Sequence, residues 1–150
     1  MSQNTTVNSQ YATSVKNLKI GHFTVGDNGC GAVEIHNAKV LKGIDSTLSE
    51  TILSMQQNNG FIFGGALGTN PLSVQKILRK SGIRSTSVSL SEINKPGVYI
   101  IAFWNNDSIW DGAHYVALKY NGKRYRTYNN FSRHNPHDYA TRYICGFYLG

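Results

Sequence analysis

The chain has 150 residues, which favours a single domain large enough to bury a core. Its 40% hydrophobic and 15% charged content excludes a mainly disordered chain, and two cysteines are too few for a disulfide framework. The net charge of +7 gathers late, at Lys119, Lys123, Arg124, Arg126, Arg133 and Arg142. No nucleic-acid fingerprint accompanies it, so it reads as a solvated basic face and nucleic acid is not an expected partner. The sequence holds neither a signal-peptide core near its start nor a long apolar stretch, so no membrane span is expected. The default location is the cytoplasm, with leaderless export left open, and the oligomeric state is not specified.

In chain order, residues 1–17 form a polar, aperiodic N-terminal arm, and residues 18–150 form the domain proper. A helix is predicted from Cys30, with Val33, Ala38 and Leu41 on one face and Gly43 as its stop. Thr47-Leu48-Ser49-Glu50 matches a capping box, which starts a second helix that ends at Asn59-Gly60. Asn70-Pro71 opens a third helix as cap and first residue, with Leu72, Val74, Ile77 and Leu78 apolar and Gly82 closing it.

The second half changes to strands. Residues 98–104 form a continuous apolar run expected as a buried central strand. Runs 114–120 and 123–128 flank Asn121-Gly122, a strong hairpin signal, and 143–148 supply a last strand in which Cys145 reads as a small buried hydrophobe. Helices followed by an antiparallel sheet predict the α+β class.

Cys30 carries the strongest chemical signal. It lies in Gly26-Asp27-Asn28-Gly29-Cys30-Gly31, turn-forming residues that lead into a helix. Free N–H groups and the helix dipole there favour a lowered thiol pKa. A nucleophilic thiol needs a base, a group that orients the base, and donors for the oxyanion. Of five histidines, His22 and His36 are poorly placed relative to Cys30, and His134 and His137 sit in a polar loop with too few companions for a metal site. His114 opens a strand beside a glycine-containing loop, where scaffolds often present catalytic groups.

A two-residue turn at Asn121-Gly122 would set Leu118 opposite Tyr125 and His114 opposite Asn129. Their Cβ atoms would then lie about 4.5–5.5 Å apart, close enough for the amide to fix the imidazole tautomer. A three-residue loop would shift the partner to Tyr128 or Asn130, so Asn130 is the fallback. For the oxyanion, the Cys30 backbone N–H is the first expected donor and Asn28 the nearest side-chain amide.

These segments together resemble the papain-like cysteine peptidases, in particular the small bacterial kind that cut bacteriocin leader peptides after a double glycine. Asn28-Gly29-Cys30-Gly31 with Asn37-Ala38 resembles the nucleophile helix. Gly68-Thr69-Asn70-Pro71 with Val74, Ile77, Leu78 and Gly82 resembles the middle helix. Ala113 to Leu118 and on to Tyr128-Asn129 resembles the His strand and its Asn or Asp partner. The likeness implies a papain-like α+β fold with Cys30, His114 and Asn129 as catalytic residues. It departs at one point: where the family usually has a glutamine, six residues before the cysteine, this chain has Thr24.

The expected function is therefore a thiol hydrolase that cleaves a peptide or protein substrate through an acyl-enzyme, with no cofactor and no metal. Leader processing coupled to export is not expected, because the chain contains no transporter segment. The same triad could serve a deamidase, a transglutaminase or an acyltransferase, and the fold could also persist as an inactive binding module. Residues 61–65 and 105–112 are the expected cleft lining, and Cys30 and Cys145 could form one bridge.

Overall fold

The computed structural model describes residues 5–7, 9–12, 14–61, 69–104, 113–128 and 134–150, apart from the side chains of Asn28, Tyr139 and Ala140. A small hairpin of β1 (Lys19–Ile20) and β2 (Phe23–Thr24) leads to a one-turn helix, α1 (Val25–Asn28). Three longer helices follow, α2 (Cys30–Leu41), α3 (Leu48–Gln57) and α4 (Pro71–Lys80). The strands are β3 (Thr86–Val88), β4 (Gly97–Trp104), β5 (Ala113–Tyr120), β6 (Tyr125–Thr127) and β7 (Tyr143–Tyr148). They form one antiparallel sheet in the order β3-β7-β4-β5-β6, so the fold class is α+β.

Local chemistry accounts for the helix starts. Thr47 and Glu50 form the reciprocal capping box of α3, at 3.1 and 2.8 Å. Asn70 accepts the Leu72 N–H at 3.1 Å and Pro71 occupies the first position of α4. Both starts match the sequence-based expectation. Helix α2 differs from its predicted one-sided pattern: every residue from Gly31 to Lys39 is buried, because the sheet, α3, α4 and the N-terminal arm all pack around it.

The sheet has two covered faces. Val98, Ile100 and Ala102 of β4 and Tyr115 of β5 pack into the helix-side core. Tyr99, Ile101, Phe103, Val116 and Leu118 form a second cluster on the opposite face, rimmed by tyrosines. Strand alternation thus makes β4 apolar throughout, as its sequence suggested. The described part of the arm is packed down as well, with Val7 and Val15 in the helix-side core.

The hairpin register departs from expectation. Leu118 pairs with Thr127, and Tyr120 with Tyr125. The connection is the four residues Asn121–Arg124, closed by Asn121 N–H to the Arg124 carbonyl. Asn121 Oδ1 accepts the N–H groups of Lys123 and Arg124, at 2.9 and 2.8 Å, and so turns the chain itself. That Asx turn replaces the two-residue turn. With this register the turn no longer sets Asn129 opposite His114, although a shift of two residues leaves each strand's faces unchanged.

Candidate active site

Cys30 is the first residue of α2 and is half-buried. Helix α2 runs beside β5 just beyond the end of β6. Among the described residues, the last bond between β5 and the β6 segment is Tyr128 N–H to the Ala117 carbonyl, 3.1 Å. Past that point the outward N–H groups of β5 are met by the helix: the Tyr115 N–H faces the Cys30 sulfur, and the Ala117 N–H donates to Glu34 at 2.6 Å. The spacing fits. Four helical residues advance about 6 Å and two strand residues about 6.7 Å, so Cys30 and Glu34 match Tyr115 and Ala117.

The thiol does not behave as its helix position suggested. Burial pushes the Cys30 pKa up, and the Glu34 carboxylate adds to the rise. The N–H groups of Tyr115, Gly31 and Cys30 itself pull the other way and are outweighed. A resting thiol, rather than a thiolate, is the consequence. Gly31 is required by packing: a Cβ there would lie 1.8 Å from Thr69 Oγ1. Thr69 in turn accepts the Tyr115 hydroxyl at its carbonyl, 3.1 Å, tying α4's entrance to β5.

His114 stands second in β5, opposite Phe103. Burial lowers its pKa, so the imidazole is neutral near pH 7. Strand alternation sets its side chain on the face of Phe103 and Val116, while the Cys30 sulfur meets the sheet at the strand edge, one residue further on. Asn129, its alternative Asn130, and the Asn28 side chain lie outside the described residues. The same holds for residues 62–65 and 105–112 of the expected cleft; Phe61 packs against the helix-side core.

Thr24 has a role of its own. It caps α1: its hydroxyl accepts the Asp27 N–H and donates to the Asp27 carboxylate at 2.7 Å. Reasoning from the chain alone missed Glu34, a lone carboxylate inside Ala-Val-Glu-Ile, which was the available signal. Cys30 and Cys145 are free thiols; Cys145 lies in β7 opposite Ala102, whose other neighbour is Tyr115. His134 accepts the N–H and hydroxyl of Thr127, at 3.1 and 2.7 Å, and fastens its loop.

A groove of about 570 Å³ lies between α4 and strands β3 and β7, lined by Leu72, Val88, Tyr143, Cys145 and Phe147. Neither Cys30 nor His114 lines it. No helix among the described residues is long and apolar enough to cross a membrane.

The architecture has a solved counterpart. The chain is similar to the crystal structure of a double glycine motif protease from an AMS/PCAT transporter, in complex with the leader peptide. The TM-score is 0.55 at 18% sequence identity, covering 81% of this chain and 84% of that one. At that identity the likeness establishes the shared fold. No family model matches the chain, and no curated protein matches it.

Proposed function

We propose that the protein is a papain-like cysteine peptidase acting on a peptide substrate. Cys30 is its nucleophile, His114 its base and Asn129 the residue that orients the base, with Asn130 as the alternative. The observation that carries this reading is the meeting of the Cys30 sulfur, at the start of α2, with the amide of the residue that follows His114, in a chain with the fold of a peptidase. A raised thiol pKa and a neutral imidazole, on the residue before the amide that the sulfur meets, favour general-base activation over a preformed ion pair.

The thiol proton passes to the imidazole as sulfur bonds to the peptide carbonyl carbon. The imidazolium then protonates the departing amine, leaving a thioester on Cys30. Water, deprotonated by the imidazole, adds to the thioester and releases the acid and the thiol. The Cys30 N–H and the Asn28 amide are the proposed oxyanion donors. Other nucleophiles could capture the same thioester, which keeps deamidation and acyl transfer within reach of the site.

The raised thiol favours one competing reading, a binding module with an inert cysteine. Mass spectrometry of peptide mixtures, including double-glycine sequences, separates the two. The expected result is cleavage by the native protein and its loss, by about a hundredfold or more, in Cys30→Ala and His114→Ala. Cleavage surviving in Cys30→Ala would refute the peptidase. So would an uncleaved mixture together with a Cys30 alkylation rate that ignores His114→Ala.

A further inference from the structure

The part of α2 behind Cys30 carries a buried polar chain that the triad does not use. The Asn37 side chain grips the backbone of Val7 in the N-terminal arm: its Oδ1 accepts the Val7 N–H at 2.6 Å and its Nδ2 donates to the Val7 carbonyl at 2.9 Å. This is the hydrogen-bond pattern of a strand neighbour, supplied by an amide side chain. The same Nδ2 approaches Glu34 Oε2 at 3.5 Å, and that oxygen accepts the Ala117 N–H at 2.6 Å. Glu34 and Asn37 are fully buried, and Val7 nearly so. A carboxylate in such a place is costly unless its neighbours hold it, so its presence in the core calls for a reason.

We propose that Glu34 is a positioning residue that couples the docked N-terminal arm to the reactive cysteine, by joining the Asn37–Val7 clasp to the edge of the strand that carries His114. The proposal rests on Cys30 being the reactive group of the site. Glu34 is one helical turn from Cys30, and Ala117 is two strand residues from Tyr115. The Glu34–Ala117 bond therefore sets the register in which the Cys30 sulfur meets the Tyr115 N–H. The arm secures the other side of the carboxylate through Asn37. Loosening the arm would change both the placement and the field of Glu34 at the sulfur. Among the described residues, the titratable groups that act on the sulfur or on its neighbour Tyr115 are Glu34 on α2, the Tyr115 hydroxyl on β5 and, beyond Tyr115, the Cys145 thiol on β7, with His114 as the proposed base.

The test reads Cys30 directly, by the rate of iodoacetamide labelling of its tryptic peptide across pH, alongside hydrogen exchange at the Ala117 amide. Glu34→Gln keeps a carbonyl oxygen for the Ala117 N–H and removes the charge. It is expected to shift the labelling profile to lower pH and to quicken labelling at pH 7 by about threefold or more. Asn37→Ala, which leaves Glu34 in place, is expected to speed Ala117 exchange about tenfold and to alter the labelling profile. In a Glu34→Gln background, Asn37→Ala should no longer alter that profile.

An unmoved profile in Glu34→Gln overturns the proposal, as does an Asn37→Ala effect of equal size in both backgrounds. If Glu34→Gln fails to fold, Asn37→Ala alone decides: unchanged labelling and unchanged Ala117 exchange overturn the coupling. None of these readings requires peptide cleavage. Failure of the peptidase reading therefore appears as absent cleavage, and failure of the coupling appears as an unmoved thiol.

Discussion

The two faces of the central sheet solve the same burial problem by different means. On the helix side, α2 carries Glu34, His36, Asn37 and Lys39 into the interior, each bonded to backbone or to a hydroxyl: Ala117 N–H, the Thr5 carbonyl, Val7 and Thr51 Oγ1. On the far side four tyrosine hydroxyls each tie a backbone carbonyl. Tyr99 reaches Lys95 at 2.6 Å, Tyr125 reaches Ile93 at 2.8 Å, Tyr148 reaches Pro96 at 2.8 Å, and Tyr143 reaches Val88. Phenols stay neutral when buried, and burial pushes Tyr143 up to about 12. The phenols of the far face thus carry no charge in the physiological range, and His114, on that same face, is a group there that acid can charge. The helix face holds groups whose charge depends on how they are enclosed, and it is the face that carries Cys30. These four tyrosines are occupied in fastening the scaffold.

The sharpest break between the faces is expected at Gly31. An added Cβ lies 1.8 Å from Thr69 Oγ1 and 2.4 Å from its Cβ, well inside contact distance. Thr69 cannot retreat freely, because its carbonyl holds the Tyr115 hydroxyl. Gly31→Ala should destabilise the protein by about 3 kcal/mol, read from urea unfolding. Adding Thr69→Ser, which removes a methyl 2.9 Å from that Cβ, should recover part of the loss. A Gly31→Ala variant as stable as the parent would mean that α2 and Thr69 are less tightly packed than this geometry requires.

How much of this was legible in the chain depended on range. The starts at Thr47 and Asn70 could be read because caps involve residues two or three positions apart. The apolar run of β4 could be read because a strand covered on both faces has no polar side. Strand β3 could not: Thr86 and Ser87 are exposed, and its pairing with β7 comes from residues some sixty positions away. The hairpin turned on one side-chain oxygen, since Asn121 Oδ1 took the donors that a two-residue turn would have used elsewhere. At the site, Cys30 and His114 were visible as residue types, but the direction of the thiol shift was not. A helix start argues for a lower pKa, and only the fold shows that enclosure and Glu34 outweigh it.

Acid should act on both faces next, through one buried imidazole on each. His36 and His114 both have their pKa lowered by burial from 6.5. His36 Nε2–H donates to the Thr5 carbonyl at 3.0 Å, while Nδ1 is buried with no partner among the described residues. A proton added there gains no acceptor; Lys39 opposes it and Glu50 favours it weakly. The unfolded chain takes up these protons near pH 6.5, the folded chain only at lower pH. Stability should therefore fall as pH drops below 6.5. His36→Gln keeps a donor for Thr5 and removes the titration, so its stability should fall less steeply between pH 6.5 and 5. Parallel slopes for variant and parent would remove His36 from the account.

The smallest effects belong to the far face, and their grading is itself informative. Tyr99 is fully buried; its hydroxyl donates to the Lys95 carbonyl and accepts the Lys95 N–H at 3.2 Å. Tyr99→Phe should cost about 1.5 kcal/mol, because a partly buried peptide group is left unsatisfied. Tyr148 makes one bond to Pro96 in a solvent-exposed setting, where water can replace it, so Tyr148→Phe should cost about 0.5 kcal/mol. Neither loss should vary between pH 5 and 8, since neither phenol changes charge in that range. A pH-dependent loss in either variant would show that the tyrosine bonds are coupled to a titrating group, His114 on the same face or the buried groups around α2, and His114→Ala in the same background would tell which.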